Sequence, residues 1–299
     1  MEPPVLQTHG LVKRFGPVAA VNGVDLQVQP GEVFGFLGPN GAGKTTTIGM
    51  ILGLLYPTSG RVALFGEDVT PAHTAPLRKV GALVGEPGMV PHLSGRANLR
   101  LLARLHPGVT YERIEAVLEQ VGLAHAAGRA FRGYSTGMKQ RLGIGAALLH
   151  QPRLLILDEP TNGLDPAGMR EIRELLRELA GQGVTVFLSS HLLHEIEQVC
   201  DRVAVLNQGR VVAHGPVAAL LGTQRVVRAR VPEPEAAARL LAELHPASVR
   251  TNGGTVEVEG VASEAVITRL VAGGMVPSEV TNGHAALEDI FLELTEGGR

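Results

Sequence analysis

The stretch GPNGAGKT, residues 38 to 45, sets glycines at 38, 41 and 43 ahead of Lys44 and Thr45, with Pro39, Asn40 and Ala42 between them. It fits G-x-x-x-x-G-K-[ST] and follows directly on the apolar run VFGFL. Glycines let backbone N–H groups converge on phosphate oxygens, and a helix opening at Lys44 adds its partial positive charge. Lys44 then reaches the β- and γ-phosphates, and the Thr45 hydroxyl suits Mg²⁺. A second run, LLILDEP (154 to 160), ends an apolar strand in Asp158, a Mg²⁺ ligand, followed by Glu159, placed to polarise or deprotonate an attacking water. A third, VTVFLSSH, ends at His191, within reach of a γ-phosphate if its strand lies in the same sheet. Finally, YSTGMKQR (134 to 141) opens a helix on the N-cap Ser135 and puts Lys139 and Arg141 in its first turn. That end of a helix favours acids, so the two cations either face an anion or turn to solvent.

These residues need a scaffold that brings strand ends together. Over the first 220 or so residues, short apolar runs alternate with helical patterns, as in an α/β domain with a parallel sheet. VFGFL (33–37), RVALF (61–65), LLILD (154–158), VTVFL (184–188) and RVAVL (202–206) are the strand candidates. Between Glu86 and His150 helical patterns take over, which predicts a helical insert. From Arg225 the order is strand RVVRARV, helix PEAAARLLAEL, strands around ASVRT and TVEVEG, helix SEAVITRLVAG, strand MVPSEVT and helix AALEDIFLELT. The first six form β-α-β-β-α-β, a ferredoxin-like unit. The expectation is a nucleotide-binding domain over residues 1–222, with its insert at about 86–150, and an accessory domain over 223–299.

Composition narrows the class. The chain has 299 residues, 44% hydrophobic and 19% charged, with a net charge of −2, so nothing in its charge calls for nucleic acid. Its one cysteine, Cys200, rules out an internal disulfide and reads as a small core residue. No apolar run approaches the roughly 18 residues of a membrane span, and the N-terminus lacks the pattern of a signal peptide. A cytoplasmic protein is expected.

Taken in order, the motifs resemble the ATP-binding subunits of ABC transporters over residues 5 to 222. KRFG (13–16) precedes the phosphate loop, YSTGMKQR is similar to the family's signature motif, LLILDEP to its second nucleotide motif, TNGLD (161–165) to its D-loop, and LSSH ends in its switch histidine. The resemblance implies that Phe15 stacks on adenine and that Thr46 joins the phosphate contacts. Glu159, His191 and Lys44 would be the catalytic groups, with ATP and Mg²⁺ as cofactors. It implies a head-to-tail dimer, a homodimer by expectation, in which Ser135 and Gly137 cap the partner's ATP and Asp165 lies at the interface. Integral membrane permease subunits would bind the insert, placing the chain on the inner face of the membrane.

Three departures stand out. The signature reads YSTGM where the family usually has LSGGQ. The lid glutamine is replaced by Gly85 and Glu86, so Glu86 would take over a contact to Mg²⁺ and water. The third is the C-terminal unit ending ALEDIFLELT, which resembles the bacitracin and daunorubicin resistance exporters. Two rival readings stay open. One is an ABC-type ATPase of DNA repair or translation, although no coiled-coil insertion or tandem domain is present. The other is a regulator that grips ATP without hydrolysis.

Overall fold

The computed structural model describes residues 3–220 and 225–284. The chain divides into two compact units, Met1–Gly215 and Pro216–Arg299. The expected boundary residue Gly222 and the expected closing helix AALEDIFLELT lie outside the described residues.

The first unit opens with a long antiparallel hairpin, β1 (Leu6–Phe15) and β2 (Val18–Val28). Neither strand was anticipated. Register shifts along the pair break the period-two alternation that would have marked them. β3 (Val33–Leu37) is buried at all five residues and runs into the glycine loop, after which α1 (Lys44–Ile51) begins. β4 (Ser59–Leu64) and the two-residue β5 (Glu67–Asp68) return to the hairpin, giving a sheet in the order β2-β1-β4-β5. The RVALF run therefore belongs to this antiparallel sheet, paired with β1, and not to the parallel one.

The short β6 (Val80–Leu83) leads into the insert, made of α2 (Gly95–Ala103), α3 (Tyr111–Gln120) and α4 (Thr136–Leu148). Ser94, Thr110 and Ser135 cap these helices with their side chains. Arg96 binds Glu115 at 2.5 Å and 2.9 Å, tying α2 to α3, while Arg113 donates to the Leu148 and Leu149 carbonyls that end α4. β6 was too short, and too rich in small residues, to announce itself. Its Gly81 lies so close to α4 that a Cβ there would sit 2.2 Å from the Ala147 carbonyl oxygen.

The chain then alternates as expected: β7 (Leu154–Asp158), α5 (Pro166–Gly181), β8 (Thr185–Ser190), α6 (Leu193–Val199), β9 (Arg202–Asn207) and finally β10 (Arg210–Pro216). The sheet order is β10-β9-β3-β8-β7-β6, and from β9 through β6 all neighbours are parallel. Between the two sheets, Phe34 and Phe36 of β3 meet Phe187 of β8 at ring separations of 5.7 and 5.5 Å. Each such side chain contributes about 1.5–3 kcal/mol by leaving water, which fixes β3 and β8 beside each other.

The second unit holds α7 (Val217–Leu220), β11 (Arg225–Arg230), α8 (Pro234–Ala242), β12 (Ser248–Asn252), β13 (Thr255–Glu259), α9 (Ser263–Ala272) and β14 (Glu279–His284). Its antiparallel sheet runs β12-β13-β11-β14, the ferredoxin-like order. Val227, Ala229, Val256 and Val258 pack there on Ala237, Leu241, Val266 and Leu270.

Candidate functional site

Register brings the strand ends together. Leu37 of β3 pairs with Ser190 of β8, and Ser189 pairs with Asp158 of β7. The glycine loop, the acidic pair and His191 therefore emerge on one edge of the parallel sheet, where open α/β folds bind ligands.

The loop is held by close approach. Gly41 and Gly43 have φ of 80° and 107°, in the left-handed region. A Cβ on Gly38 would fall 2.4 Å from the Leu206 carbonyl oxygen, and one on Gly43 would fall 2.4 Å from that of Ala20. Lys44, only 6% exposed, donates to the Gly38 carbonyl at 2.7 Å and pairs with Glu159 Oε1 at 3.1 Å. Glu159 Oε2 lies 2.7 Å from His191 Nδ1, the geometry of a hydrogen bond donated by the ring. Lys44, Glu159 and His191 thus form one continuous chain of contacts.

A second chain runs beneath it. The Thr45 hydroxyl donates to Asp158 Oδ2 at 2.9 Å. The Ser189 hydroxyl donates to Asp158 Oδ1 at 2.5 Å and accepts from the Glu159 backbone N–H at 3.0 Å. Glu159 itself sits at φ 51°, an uncommon backbone for a non-glycine residue and one that costs about 1–3 kcal/mol. Ser189 is fully buried and was not singled out from the sequence. The polar LSSH at the end of a buried strand was its only signal.

A pocket of 380 Å³ opens over the loop, lined by Pro39, Asn40, Gly41, Gly43, Lys44, Thr45 and Thr46 together with Glu159, His191, Asn162 and Ala20. Ala42 is buried beneath it. Asn162 is the other residue the sequence reading passed over, although it lies within TNGLD. A neighbouring pocket of 480 Å³ joins Glu86 and Gly85 to Asp158, Glu159, Asn162 and Lys139. Glu86 is exposed and lines this neighbouring pocket, not the one over the loop.

Four expected ligand contacts are not gathered at the loop. Phe15 is 50% exposed at the end of β1, with the Lys13 ammonium 5.2 Å from its ring centroid. Ser135 is exposed and caps α4 by accepting from Met138 N–H, with the partly buried Gly137 beside it. Asp165 caps α5, accepting from Gly168 N–H at 3.0 Å. The pair of cations on α4 divides: Lys139 lies 5.7 Å from the centroid of the Phe131 ring, whereas Arg141 is 18% exposed and pairs with Glu171 of α5 at 3.4 Å. Arg141 is therefore turned toward the neighbouring helix and away from solvent. Burial pushes the Cys200 thiol up, out of reach of thiolate chemistry.

The Thr45 hydroxyl and the Asp158 carboxylate, 2.9 Å apart, are oxygen donors of the kind that Mg²⁺ takes, and would be the residues to hold it. Among the described residues no group of three or more His, Cys, Asp or Glu side chains could hold a metal by itself.

A buried strand, a glycine loop, a lysine opening a helix and an acidic pair on a neighbouring strand end define a phosphate-loop nucleotide hydrolase. Comparison with known proteins is specific. Residues 21–162 match the family described as ABC transporter. The chain is 40% identical to a bacitracin transport ATP-binding protein of Enterococcus faecalis, covering 98% of this chain and 97% of that one. It is 36% identical to a daunorubicin resistance ATP-binding protein of Streptomyces coeruleorubidus, covering 100% and 98%. A dimeric post-hydrolysis state of an ATP-binding cassette, bound to ADP and Pi, superposes with a TM-score of 0.64 at 25% identity, covering 71% of this chain and 99% of that one. The chain belongs to the ATP-binding subunits of ABC transporters. It is an ATPase: it binds ATP and hydrolyses it.

Proposed function

We propose that this subunit powers an exporter, and that its ATP site is completed by a second copy of the chain. The continuous contact chain Lys44–Glu159–His191 at the mouth of the phosphate loop carries the reading. Glu159 takes the proton of the attacking water, and His191 holds the Glu159 carboxylate in place through Nδ1. Lys44 and the loop N–H groups balance charge gathering on the γ-phosphate. Thr45 and Asp158 would hold Mg²⁺, which would supply positive charge to neutralise the phosphates, and Glu86, lining the neighbouring pocket, would add a carboxylate. Ser189 positions Asp158, and Asn162 lines the pocket beside it.

Ser135 and Asp165 are exposed, Gly137 is partly buried, and all three lie outside the pocket of their own loop, as groups meant for another molecule's nucleotide would. The dimeric relative supports that reading. Phe15 offers an open π-face for adenine. Among the described residues no helix is long and apolar enough to cross a membrane. Membership of the ABC transporter family supports a transport path in separate permease subunits, docked on the insert at the inner membrane face. The export direction rests on the two antibiotic-related proteins that match over nearly full length.

The test is the mass of Glu159→Gln by light scattering, in Mg-ATP and in Mg-ADP. A dimer in ATP that separates in ADP, with hydrolysis lowered by roughly 10²–10⁴, is the expected result. A monomer in both, with ATP bound, would overturn the self-pairing site.

A further inference from the structure

The turn between β9 and β10 is bonded to the phosphate loop. Its two central residues, Gln208 and Gly209, both have left-handed backbone, with φ of 46° and 75°. Gln208 is exposed, whereas Gly209 is buried and both of its backbone groups are engaged. Its N–H donates to the Ala42 carbonyl at 2.9 Å, and its carbonyl accepts from the Asn22 N–H of β2 at 2.8 Å. One residue thus joins the loop to the β1–β2 hairpin. Space there admits only glycine. A Cβ on Gly209 would fall 2.8 Å from the Ala20 carbonyl oxygen, the same atom that bars a Cβ from Gly43. The obstacle is backbone, so no side chain can swing aside to relieve it. β9 also backs the start of the loop, where the Leu206 carbonyl lies against Gly38.

The bond to Ala42 has a directional consequence. A peptide unit is planar and trans, so the Gly43 N–H points opposite to the Ala42 C=O. Since that carbonyl is held by Gly209, the Gly43 N–H is turned away from the β9–β10 turn, and Gly43 lines the pocket over the loop. A carbonyl that accepts a hydrogen bond also polarises its own peptide, which makes the N–H on the far side a better donor. On the other side of Gly209, the bond from Asn22 fixes the part of β2 from which Ala20 reaches the same pocket.

We propose that Gly209 is a positioning residue of the nucleotide site. Its N–H, acting through the Ala42–Gly43 peptide, aims and strengthens the Gly43 N–H for a phosphate oxygen, while its carbonyl keeps the Ala20 wall of the pocket in register with the loop. Gly209 itself touches no nucleotide. The inference rests on the loop's binding the phosphates of ATP, and it is independent of self-pairing and of export direction.

The experiment compares Gly209→Ala with Gly66→Ala in the full chain. Gly66 has φ of 82° and open space where a Cβ would go, so its variant carries similar backbone strain outside the pocket. In Gly209→Ala, Kd and KM for Mg-ATP should both rise roughly tenfold to a hundredfold, the scale of one charge-assisted hydrogen bond. Because the phosphates are held in ground and transition state alike, kcat should change less than about threefold. Gly66→Ala should lose stability with neither constant changed. A merely structural role for Gly209 would lower the active fraction, and so the apparent kcat, and leave KM where it was; that result would overturn the proposal. Lys44→Ala in the same titration checks the premise: undiminished ATP binding there would remove the phosphates from this loop and overturn premise and proposal together. If Gly209→Ala fails to fold, glycine-selective ¹⁵N spectra of the natural chain decide. The Gly209 and Gly43 amide signals should move with one midpoint on titration with Mg-ADP, and a stationary Gly209 beside a moving Gly43 would overturn the proposal.

Discussion

Replacing Ser189 with alanine isolates the part of the site that the motifs conceal. The hydroxyl donates to a carboxylate at 2.5 Å and accepts from the Glu159 N–H at 3.0 Å, in a fully buried position. Losing a hydrogen bond to a charged group costs about 1.5–3 kcal/mol, and orphaning the buried N–H costs about 1–3 kcal/mol. Since the two share one atom they are not fully additive, and a loss of about 3–5 kcal/mol is expected. For a unit of this size that is a fall in Tm of roughly 6–20 °C. Urea unfolding with and without Mg-ATP measures it, with Ser189→Cys as a near-isosteric, weaker donor falling between. Hydrolysis by the folded fraction should drop as well, because the strained Glu159 backbone loses the bond that anchors its N–H. A destabilisation under about 1 kcal/mol, with hydrolysis unchanged, would refute the reasoning.

Three other outcomes are expected. Ser135→Arg should leave ATP affinity within about twofold while hydrolysis falls roughly 10²–10³-fold, the scale of removing one transition-state donor; equal loss of both would sink the shared site. Glu86→Gln removes a negative charge from the neighbouring pocket. ATP should then bind up to roughly fivefold tighter in EDTA, and half-saturating Mg²⁺ should rise, both readable by fluorescent nucleotide titration. In His150, Nε2 lies 3.1 Å from the Val80 carbonyl oxygen and Nδ1 is buried without a partner. Burial first, then the stacked His106 ring and Arg113, hold its pKa below the usual histidine value. The folded state therefore resists the proton that the unfolded chain accepts. The stability this contributes is complete above about pH 6.5 and declines as pH falls through that value, so His150→Asn should flatten the urea midpoint between about pH 7 and 5. A parallel pH profile in the variant would rule the effect out.

Chemistry was more legible in the sequence than architecture. GPNGAGKT and LLILDEP announce themselves because backbone approach to phosphate admits only glycine and a buried strand end admits few acids. Strands β3, β7, β8 and β9 were visible because burial on both faces makes them continuously apolar. The β1–β2 hairpin was invisible for the opposite reason: it is half-buried, shifted in register and only partly alternating. Spacing on α4 suggested two cations serving one anion, but the side chain of Arg141 goes to Glu171, a partner supplied by another helix. Ser189 escaped notice because its importance lies in two bonds across a parallel pair, and pairing register is set by the whole sheet.

The engagement of Lys44 has a thermodynamic consequence. A phosphate reaching the loop meets an ammonium already neutralised by Glu159 and by the Gly38 carbonyl. Capture is therefore a swap of counter-ions, and the measured affinity is the difference between two strong pairings. The same swap sets the carboxylate loose from its cation, so with Glu159 as the proposed base, that base is unmasked by the very anion whose hydrolysis it would serve. Without that anion, the lysine keeps the carboxylate muzzled, and idle deprotonation of water at the site is held in check.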